Sequence, residues 1–207
     1  GIGTVEITPI YGVQKNEANE IPFLSEKWMK MLACTQAAGK ASGMLTDMNT
    51  GTGWPFGGPE VRVEDAASKL IVREYAAKGG NIFSETIMPT DKDQQKATLL
   101  RVMAYGNQKV LNLTKLVSAD RKINWKVPAG SWKILAAFNG KTFQRVKRAA
   151  PGGEGLVMDH FSKKAVSAYL TRFEKAFAEK NTAYPHNFFN DSYEVYGADW
   201  TTDFFEQ

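Results

Sequence analysis

The stretch "SEKWMKMLACTQAAGKASGMLTDMNT", residues 25–50, predicts an α-helix followed by a β-strand. Ser25 is a residue type that caps helices, and Glu26 lies in the first turn, where acidic residues are favoured. The strand follows Gly43 and covers residues 43–49. The helical side chains with the spacing of a buried stripe are Trp28, Met31, Leu32 and Thr35.

A β-branched segment precedes this helix. "TVEITPIYG", residues 4–12, ends in Pro and Gly and predicts a buried strand near residues 4–10. Strand, helix and strand in this order form a βαβ unit, whose two strands run parallel. The first fifty residues therefore predict a parallel α/β start.

The pattern changes between about residues 68 and 147. Short β-rich runs are separated there by Gly, Pro and Asn, and "VPAGSW", residues 127–132, is a turn between two strand-like segments. This region predicts an antiparallel β module inserted into the α/β chain.

The α/β pattern returns near the end of the chain. "EGLVMDHF", residues 154–161, predicts a third strand over 155–160, and "HNFFND" a buried fourth strand over 187–191. "WTTDFFEQ", residues 200–207, predicts the start of a further helix. The helix between the two strands is capped by Ser162 and has one apolar stripe: Val166, Tyr169, Phe173 and Phe177. We predict four parallel strands and three domain segments, 1–67, 68–147 and 148–207.

Composition limits the class of protein. The chain has 207 residues, 43% of them hydrophobic, which suffices for a buried core. Its net charge of +4 includes one short basic pair, Lys147 and Arg148, so a nucleic-acid partner is not expected. No apolar run approaches the roughly 20 residues of a membrane span, and Cys34 alone cannot form an internal disulfide. The sequence opens on Gly1 without Met, which suggests a processed or truncated chain with no visible signal peptide.

Polar residues follow each of the four predicted strands. In parallel α/β proteins ligands bind at the carboxyl ends of strands, where the loops converge. A single polar strand end is often a helix cap or a solvated turn, but four equivalent ones indicate a site. These residues are Glu6 and Thr8, Asp47 and Asn49, Asp159 and His160, and Asn190, Asp191 and Glu194.

The loop "TGTGWPFGGP", residues 50–59, follows the second strand. Its glycine spacing does not match a phosphate-binding loop, and its sixth and twelfth positions, counted from Asp47, do not match an EF-hand. The loop presents Trp54 and Phe56. They are either core residues or an aromatic wall for the apolar face of a sugar ring.

Four stretches resemble a known family: "VEITPIYG", "DMNTGTGWPFGGP", "VKRAAPGGEGLVMDHFS" and "FFNDSYEVYGADWT". They resemble glycoside hydrolase family 106, the α-L-rhamnosidases, known mostly from Bacteroidetes. The resemblance implies a partial TIM-like (β/α) barrel of about four parallel strands with an inserted antiparallel β module. It also implies calcium-assisted, inverting hydrolysis of terminal α-L-rhamnosides in plant or microbial polysaccharides, in the periplasm or outside a bacterial cell.

An inverting glycosidase needs one carboxylic acid to protonate the leaving oxygen and one carboxylate to activate water, about 6.5–9.5 Å apart. By resemblance Glu194 is the general acid, and Asp191 is the alternative. The apolar neighbours of Glu194 are expected to desolvate it. The base is expected downstream of Gln207, so the chain is interpreted as the first half of a catalytic domain and is expected to be inactive alone. The predicted substrate-binding residues are Glu6, Asp47, Asn49, Trp54, Asp159, His160 and Asn190.

The predicted site is rich in oxygen ligands, which favours Ca²⁺ over Zn²⁺, although the metal ligands themselves are not assigned. The predicted partners are a rhamnose-containing glycan and either a second copy of the chain or the missing C-terminal half. A non-catalytic carbohydrate-binding or assembly module is the alternative function. A plain α/β domain with polar strand ends is the third.

Overall fold

The computed structural model describes residues 1–190 and 193–206. Two α-helices and eleven strands occur among these residues, together with four short 3-10 helices. In chain order they are β1 Thr4–Ile7, α1 Glu26–Ala41, β2 Leu45–Asn49, β3 Gly57–Gly58, β4 Ser68–Lys78, β5 Ile82–Thr86, β6 Thr98–Gly106, β7 Lys109–Asn112, β8 Lys122–Lys126, β9 Ser131–Lys141, β10 Leu156–Val157, α2 Lys163–Glu179 and β11 Phe188–Phe189. The 3-10 helices are Glu17–Asn19, Val63–Asp65, Lys92–Gln94 and Thr114–Leu116.

The chain folds into two compact units. The first unit comprises Gly1–Ala67 and Thr142–Ala198, and the second comprises Ser68–Lys141 and the segment from Asp199 onward. The predicted domain boundaries at 67/68 and 147/148 stay a prediction. Neither α-helix of the described chain combines the length and the apolar character that a bilayer crossing requires.

The first unit contains a three-stranded sheet in the order β1-β2-β11, with both pairs parallel. Met48 of β2 is fully buried and belongs to the same core cluster as Met29 of α1 and Phe177 of α2. Since side chains alternate along a strand, Asp47 and Asn49 lie on the opposite face of β2 from Met48. The helices therefore cover one face of the sheet, and Asp47 and Asn49 lie on the other.

Helix α1 begins where the sequence predicts, because the Ser25 hydroxyl accepts a hydrogen bond from the Trp28 N–H at 3.3 Å. The predicted stripe is right for Leu32 and for Trp28, which packs against the core, and wrong for Met31 and Thr35, which are exposed. Met29 and Leu32 are buried, whereas Met31 is 46% exposed. One residue corresponds to about 100° around a helix, so the sheet selects the face that contains Met29 and Leu32.

Helix α2 confirms its predicted cap and stripe. Ser162 accepts from the Ala165 N–H at 3.3 Å, and Tyr169, Phe173 and Phe177 are buried at a spacing of four residues. Residues four apart share one face of a helix. This face joins the hydrophobic core of the first unit.

The second unit is antiparallel. Its main sheet has the order β4-β9-β6-β7, and β5 pairs with β8 in a second sheet. Strand β9 alternates buried and exposed residues over its first half, with Trp132, Ile134 and Ala136 in the core. This alternation gives an amphipathic strand that buries one face.

The predicted fold class, an α/β partial (β/α) barrel of four parallel strands, is wrong. Most sheets of the described chain are small and antiparallel, and no parallel barrel forms. The predicted third strand is reduced to β10, which pairs antiparallel with Gly57 and Gly58 of β3. Glycine permits this close pairing, since a Cβ on Gly57 would lie 2.1 Å from the Leu156 carbonyl oxygen.

Two further predictions near the C-terminus are wrong. The fourth strand is not buried, because β11 is a two-residue edge strand whose Phe188 and Phe189 are 41% and 46% exposed. The segment after Trp200 forms turns instead of a helix over its described residues.

Candidate functional site

Helix α2 supports the loop that follows β2 through hydrogen bonds of one tyrosine. The Tyr169 hydroxyl donates to the carbonyl oxygens of Thr50 at 2.6 Å and of Gly57 at 3.3 Å. Burial raises the pKa of Tyr169 far above its ordinary value, with a smaller contribution from the charge of Glu60. The phenol therefore stays protonated and holds both ends of the loop.

The same loop is paired with the segment at Lys147 and Arg148. Trp54 and Lys147 exchange backbone hydrogen bonds of 3.1 and 2.9 Å, and the Tyr11 N–H donates to the Arg148 carbonyl oxygen at 2.9 Å. Gly53 has φ +55°, and a Cβ there would lie 1.9 Å from the Lys147 carbonyl oxygen. Only glycine meets both conditions without displacing the backbone.

The two loop aromatics have different environments. Phe56 is 1% exposed and belongs to the core of the first unit. Trp54 is only half-buried, and the Arg148 guanidinium carbon lies 5.3 Å from the centre of its ring. The same guanidinium lies 5.7 Å from the centre of the Tyr11 ring. Trp54 thus keeps part of its surface for a ligand, while Phe56 does not.

Glu194 lies in an exposed loop that Gln144 holds from both sides. The Gln144 amide donates to the Glu194 carbonyl oxygen at 2.7 Å and accepts from the Tyr196 N–H at 2.8 Å. The Tyr196 hydroxyl donates to the Glu194 carboxylate at 3.3 Å. The expected desolvation by apolar neighbours is not seen, because the Glu194 side chain is exposed.

Gln144 is a positioning residue that sequence reasoning missed. It lies fifty residues before Glu194 in a stretch with no recognisable motif. A short β-rich run, "FQRVK", was the only signal there.

The neighbours of Glu194 border a cavity of about 280 Å³. Its walls are mostly apolar: Phe161, Tyr193, Val195 and Ala198, with His160 as the polar member. The His160 and Tyr193 rings meet edge to face at 5.0 Å. Tyr193 and Val195 flank Glu194 in sequence, whereas Glu194 itself is not among the described residues that line the cavity.

His160 brings two buried ring nitrogens to the cavity. Neither has a hydrogen-bond partner within the described residues. Burial lowers the pKa of His160 below its ordinary value of 6.5. The Met158 backbone, near the ring but without hydrogen-bond geometry, and the charge of Asp159 oppose this effect only in part. The ring is therefore neutral near pH 7, with one donor nitrogen and one acceptor nitrogen.

Another group of predicted residues lies on the parallel sheet. Glu6 pairs in register with Asp47, and the Thr8 hydroxyl donates to Glu6 at 2.8 Å. Asp47 accepts from the Asn187 N–H at 2.9 Å and contacts the His186 ring at 3.2 Å. Asn49 is 1% exposed, and its amide has no hydrogen-bond partner in the described chain. Glu6, Asp47 and Asn49 share one face of the sheet.

The remaining predicted residues are less closely connected. Asp159 is buried and accepts from the Phe161 N–H at 3.0 Å, so it shapes the turn that places His160 and Phe161. Asn190 is exposed after β11. Asp191 lies outside the described residues.

The predicted calcium site involves amide as well as carboxylate oxygens, and Asp191 lies outside the described residues. Within residues 1–190 and 193–206, no three His, Cys, Asp or Glu side chains come close enough to share a metal ion. Asp47 is already engaged by His186 and Asn187. Calcium stays a prediction.

Known proteins resemble this chain in sequence and in fold. Residues 88–207, more than half of the chain, match the model of the Glyco_hydro_106 family, described as alpha-L-rhamnosidase. A relative from Formosa agariphila, named "Putative beta-glucuronidase", is 24% identical over 230 residues, covering 90% of this chain and 20% of the relative.

One solved structure adds evidence about the fold. The rhamnosidase from Novosphingobium sp. PP1Y superposes with a TM-score of 0.73 at 12% identity, over 100% of this chain and 37% of that chain. The chain therefore spans about a fifth of its curated relative and just over a third of the solved structure. At this identity the structural likeness concerns the fold alone. The match over residues 88–207 shows that this chain belongs to the glycoside hydrolase 106 family of alpha-L-rhamnosidases.

Proposed function

We propose that the protein hydrolyses terminal α-L-rhamnosides with inversion, and that Glu194 is the general acid. The observation that carries this proposal is that Gln144 and Tyr196 hold Glu194 in the loop whose Tyr193 and Val195 line the cavity. Family membership supports the reaction class. The general base and the calcium ion stay predictions, and Asp191, the alternative acid, lies outside the described residues.

The chemistry of the cavity favours a 6-deoxy sugar. Rhamnose has a methyl group where a hexose has a hydroxymethyl group and a uronic acid has a carboxylate. Phe161, Val195 and Ala198 offer apolar surface for such a methyl group. His160 is neutral near pH 7 and suits a hydroxyl group better than a carboxylate. Among the described residues that line the cavity, none is a cation that would compensate a buried carboxylate.

Glu194 is oriented for proton transfer to the leaving oxygen. Gln144 holds the backbone on both sides of it, and Tyr196 donates to its carboxylate. A bound sugar displaces water from this exposed side chain, and desolvation favours the neutral carboxyl that a general acid needs. A second carboxylate, about 6.5–9.5 Å away, would activate the water molecule on the opposite face of the ring.

Replacing Glu194 by Gln in the longer protein tests the acid role. Turnover of rhamnosides with poor leaving groups should fall about 10²–10⁴-fold, because these substrates need protonation. Aryl rhamnosides with good leaving groups should lose much less. Glu174→Gln, an exposed carboxylate on α2, is the matched control and should leave both rates unchanged. Equal losses on both substrate types would remove the acid role.

The sugar preference is tested with a matched pair of substrates, an aryl α-L-rhamnoside and an aryl β-D-glucuronide. The relative named as a beta-glucuronidase makes this comparison necessary. We expect cleavage of the rhamnoside. Cleavage of the glucuronide alone would overturn the proposed substrate. Sugar binding without cleavage of either substrate would favour a carbohydrate-binding module.

A further inference from the structure

Two cations beside the Glu194 loop take no part in the function proposed above. Lys147 and Arg148 are exposed, and within the described residues neither lies within ion-pair distance of a carboxylate. Other cations of this unit do form ion pairs: Arg172 with Glu60, Arg62 with Asp65, and Lys30 with Glu26. Lys147 and Arg148 instead lie over aromatic rings.

The positions of both cations are set by the backbone. Lys147 is paired with Trp54, the Arg148 carbonyl oxygen accepts from Tyr11, and Gly53 allows the close approach. Arg148 itself has φ +56°, in the left-handed region that costs a non-glycine residue energy. The fold therefore maintains a strained turn that presents two adjacent cations.

The aromatic contacts orient the cations without neutralising them. The Arg148 guanidinium lies within 6 Å of the Trp54 and Tyr11 rings, at 5.3 and 5.7 Å. The Lys147 ammonium lies 4.7 Å from the centre of the Tyr196 ring. A ring face attracts a cation but accepts no strong hydrogen bond, so the N–H donors stay available for a ligand.

This arrangement adjoins the predicted acid. Tyr196 contacts Lys147 with its ring and donates to the Glu194 carboxylate with its hydroxyl at 3.3 Å. A general acid protonates the glycosidic oxygen, which joins the terminal sugar to the next one. A group that neighbours the acid is thus placed to contact the sugar on the leaving side.

We propose that Lys147 and Arg148 form a subsite for an anionic sugar unit on the leaving side of the cleaved bond. Its anion is a carboxylate or a sulfate ester, both of which accept charge-assisted hydrogen bonds from ammonium and guanidinium groups. Trp54 and Tyr11 supply aromatic surface for the ring of that sugar. The proposal rests on the rhamnosidase function proposed above, and it extends that function to a preference for acidic glycans.

The test uses the longer protein and three rhamnosyl disaccharides. Their leaving sugars are glucose, glucuronic acid and a glucose sulfate, so that charge and its chemical source vary separately. We expect a higher kcat/KM for at least one anionic disaccharide than for the neutral one. Added NaCl should reduce this preference, because salt screens exposed charges. Comparing the glucuronic acid substrate with the glucose sulfate substrate shows whether the subsite prefers a carboxylate or a sulfate ester.

The decisive comparison removes the charge either from the protein or from the substrate. The variant Lys147→Gln/Arg148→Gln should reduce the anionic-to-neutral ratio of kcat/KM about tenfold or more. Methyl esterification of the glucuronic acid should abolish its advantage with the unaltered protein, which covers the case of a variant that folds poorly. Lys164→Gln, an exposed cation on α2, is the control and should leave the ratio unchanged.

The two proposals fail in different ways. Cleavage of all three disaccharides at one rate, with no effect of the double variant on the ratio, would overturn the anionic subsite and keep the rhamnosidase function. Cleavage of none of them, together with an inactive aryl rhamnoside assay, would overturn the proposed function itself.

Discussion

The antiparallel unit and the Glu194 region use aromatic side chains differently. In the antiparallel unit Trp125 and Trp132 are 8% and 3% exposed and pack edge to face at 5.5 Å. The Trp132 indole N–H donates to the Pro128 carbonyl oxygen at 3.0 Å. Both its apolar surface and its polar group are satisfied inside the protein. These tryptophans contribute to stability and have no surface left for a ligand.

Around Glu194 and around the turn at Lys147 and Arg148, several aromatic residues are exposed. Tyr11, Tyr193 and Tyr196 are 54%, 68% and 63% exposed, and cations lie over two of these rings. Exposed aromatic surface is costly unless something covers it, and a sugar ring has the matching apolar face. The comparison teaches that the surroundings of an aromatic residue, and not its type, indicate a structural or a binding role.

The largest expected effect is a loss of stability when a buried tryptophan of the antiparallel unit is replaced. Trp132→Ala should lower the free energy of unfolding by about 3–5 kcal/mol, because it opens a cavity in a packed core. Trp54→Ala should cost about 1 kcal/mol or less, since that ring is half-buried. Urea denaturation followed by circular dichroism measures both. Similar losses for the two variants would show that Trp54 is as structural as Trp132.

A smaller loss of stability is expected when the hydrogen bonds between α2 and the loop after β2 are removed. Tyr169→Phe removes the donor to the Thr50 and Gly57 carbonyl oxygens and should cost about 1–3 kcal/mol, since buried acceptors lose their partner. Tyr184→Phe is the matched control, because Tyr184 is 58% exposed. The check is urea denaturation combined with amide hydrogen exchange in the loop. An unchanged exchange pattern would mean that the loop is held by its backbone alone.

The smallest effect concerns the pH dependence of His160. Its pKa is lowered in the folded state, so the unfolded chain binds more protons between that pKa and the ordinary value of 6.5. The stabilisation is present above pH 6.5 and is lost as pH falls through 6.5 toward the lowered pKa.

His160→Gln should therefore flatten the dependence of melting temperature on pH between 7.5 and 5.5. Differential scanning fluorimetry at several pH values compares the variant with the unaltered chain. A parallel pair of curves would show that His160 does not titrate differently on folding.

Local patterns correctly predicted the starts of α1 and α2 and the apolar stripe of α2. The Ser25 and Ser162 caps and the stripe of Tyr169, Phe173 and Phe177 depend on residues within one or two turns of each other. The segment predicted as a turn, residues 127–132, includes the connection between β8 and β9, which belong to two different antiparallel sheets. Such interactions are encoded within a few residues, so a single sequence suffices to find them.

Pairings between distant segments were not predictable in the same way. "EGLVMDHF" has the composition of a parallel strand, yet its partner is Gly57–Gly58 of the loop after β2. That choice depends on backbone groups about a hundred residues apart, which carry no side-chain signature. The link from Gln144 to Glu194 is of the same kind.

The sequence by itself determined the helix starts, the turns, the family resemblance and the residue types available for chemistry. Tertiary structure decided which of these residues meet. It buried Phe56 but left Trp54 half-buried, placed Met29 of α1 in the core, and brought Tyr196 into contact with both Lys147 and Glu194. The physical reason is that caps and periodicity act over one turn of chain. Burial, cation–aromatic contacts and antiparallel pairing depend on which segments the whole fold brings together.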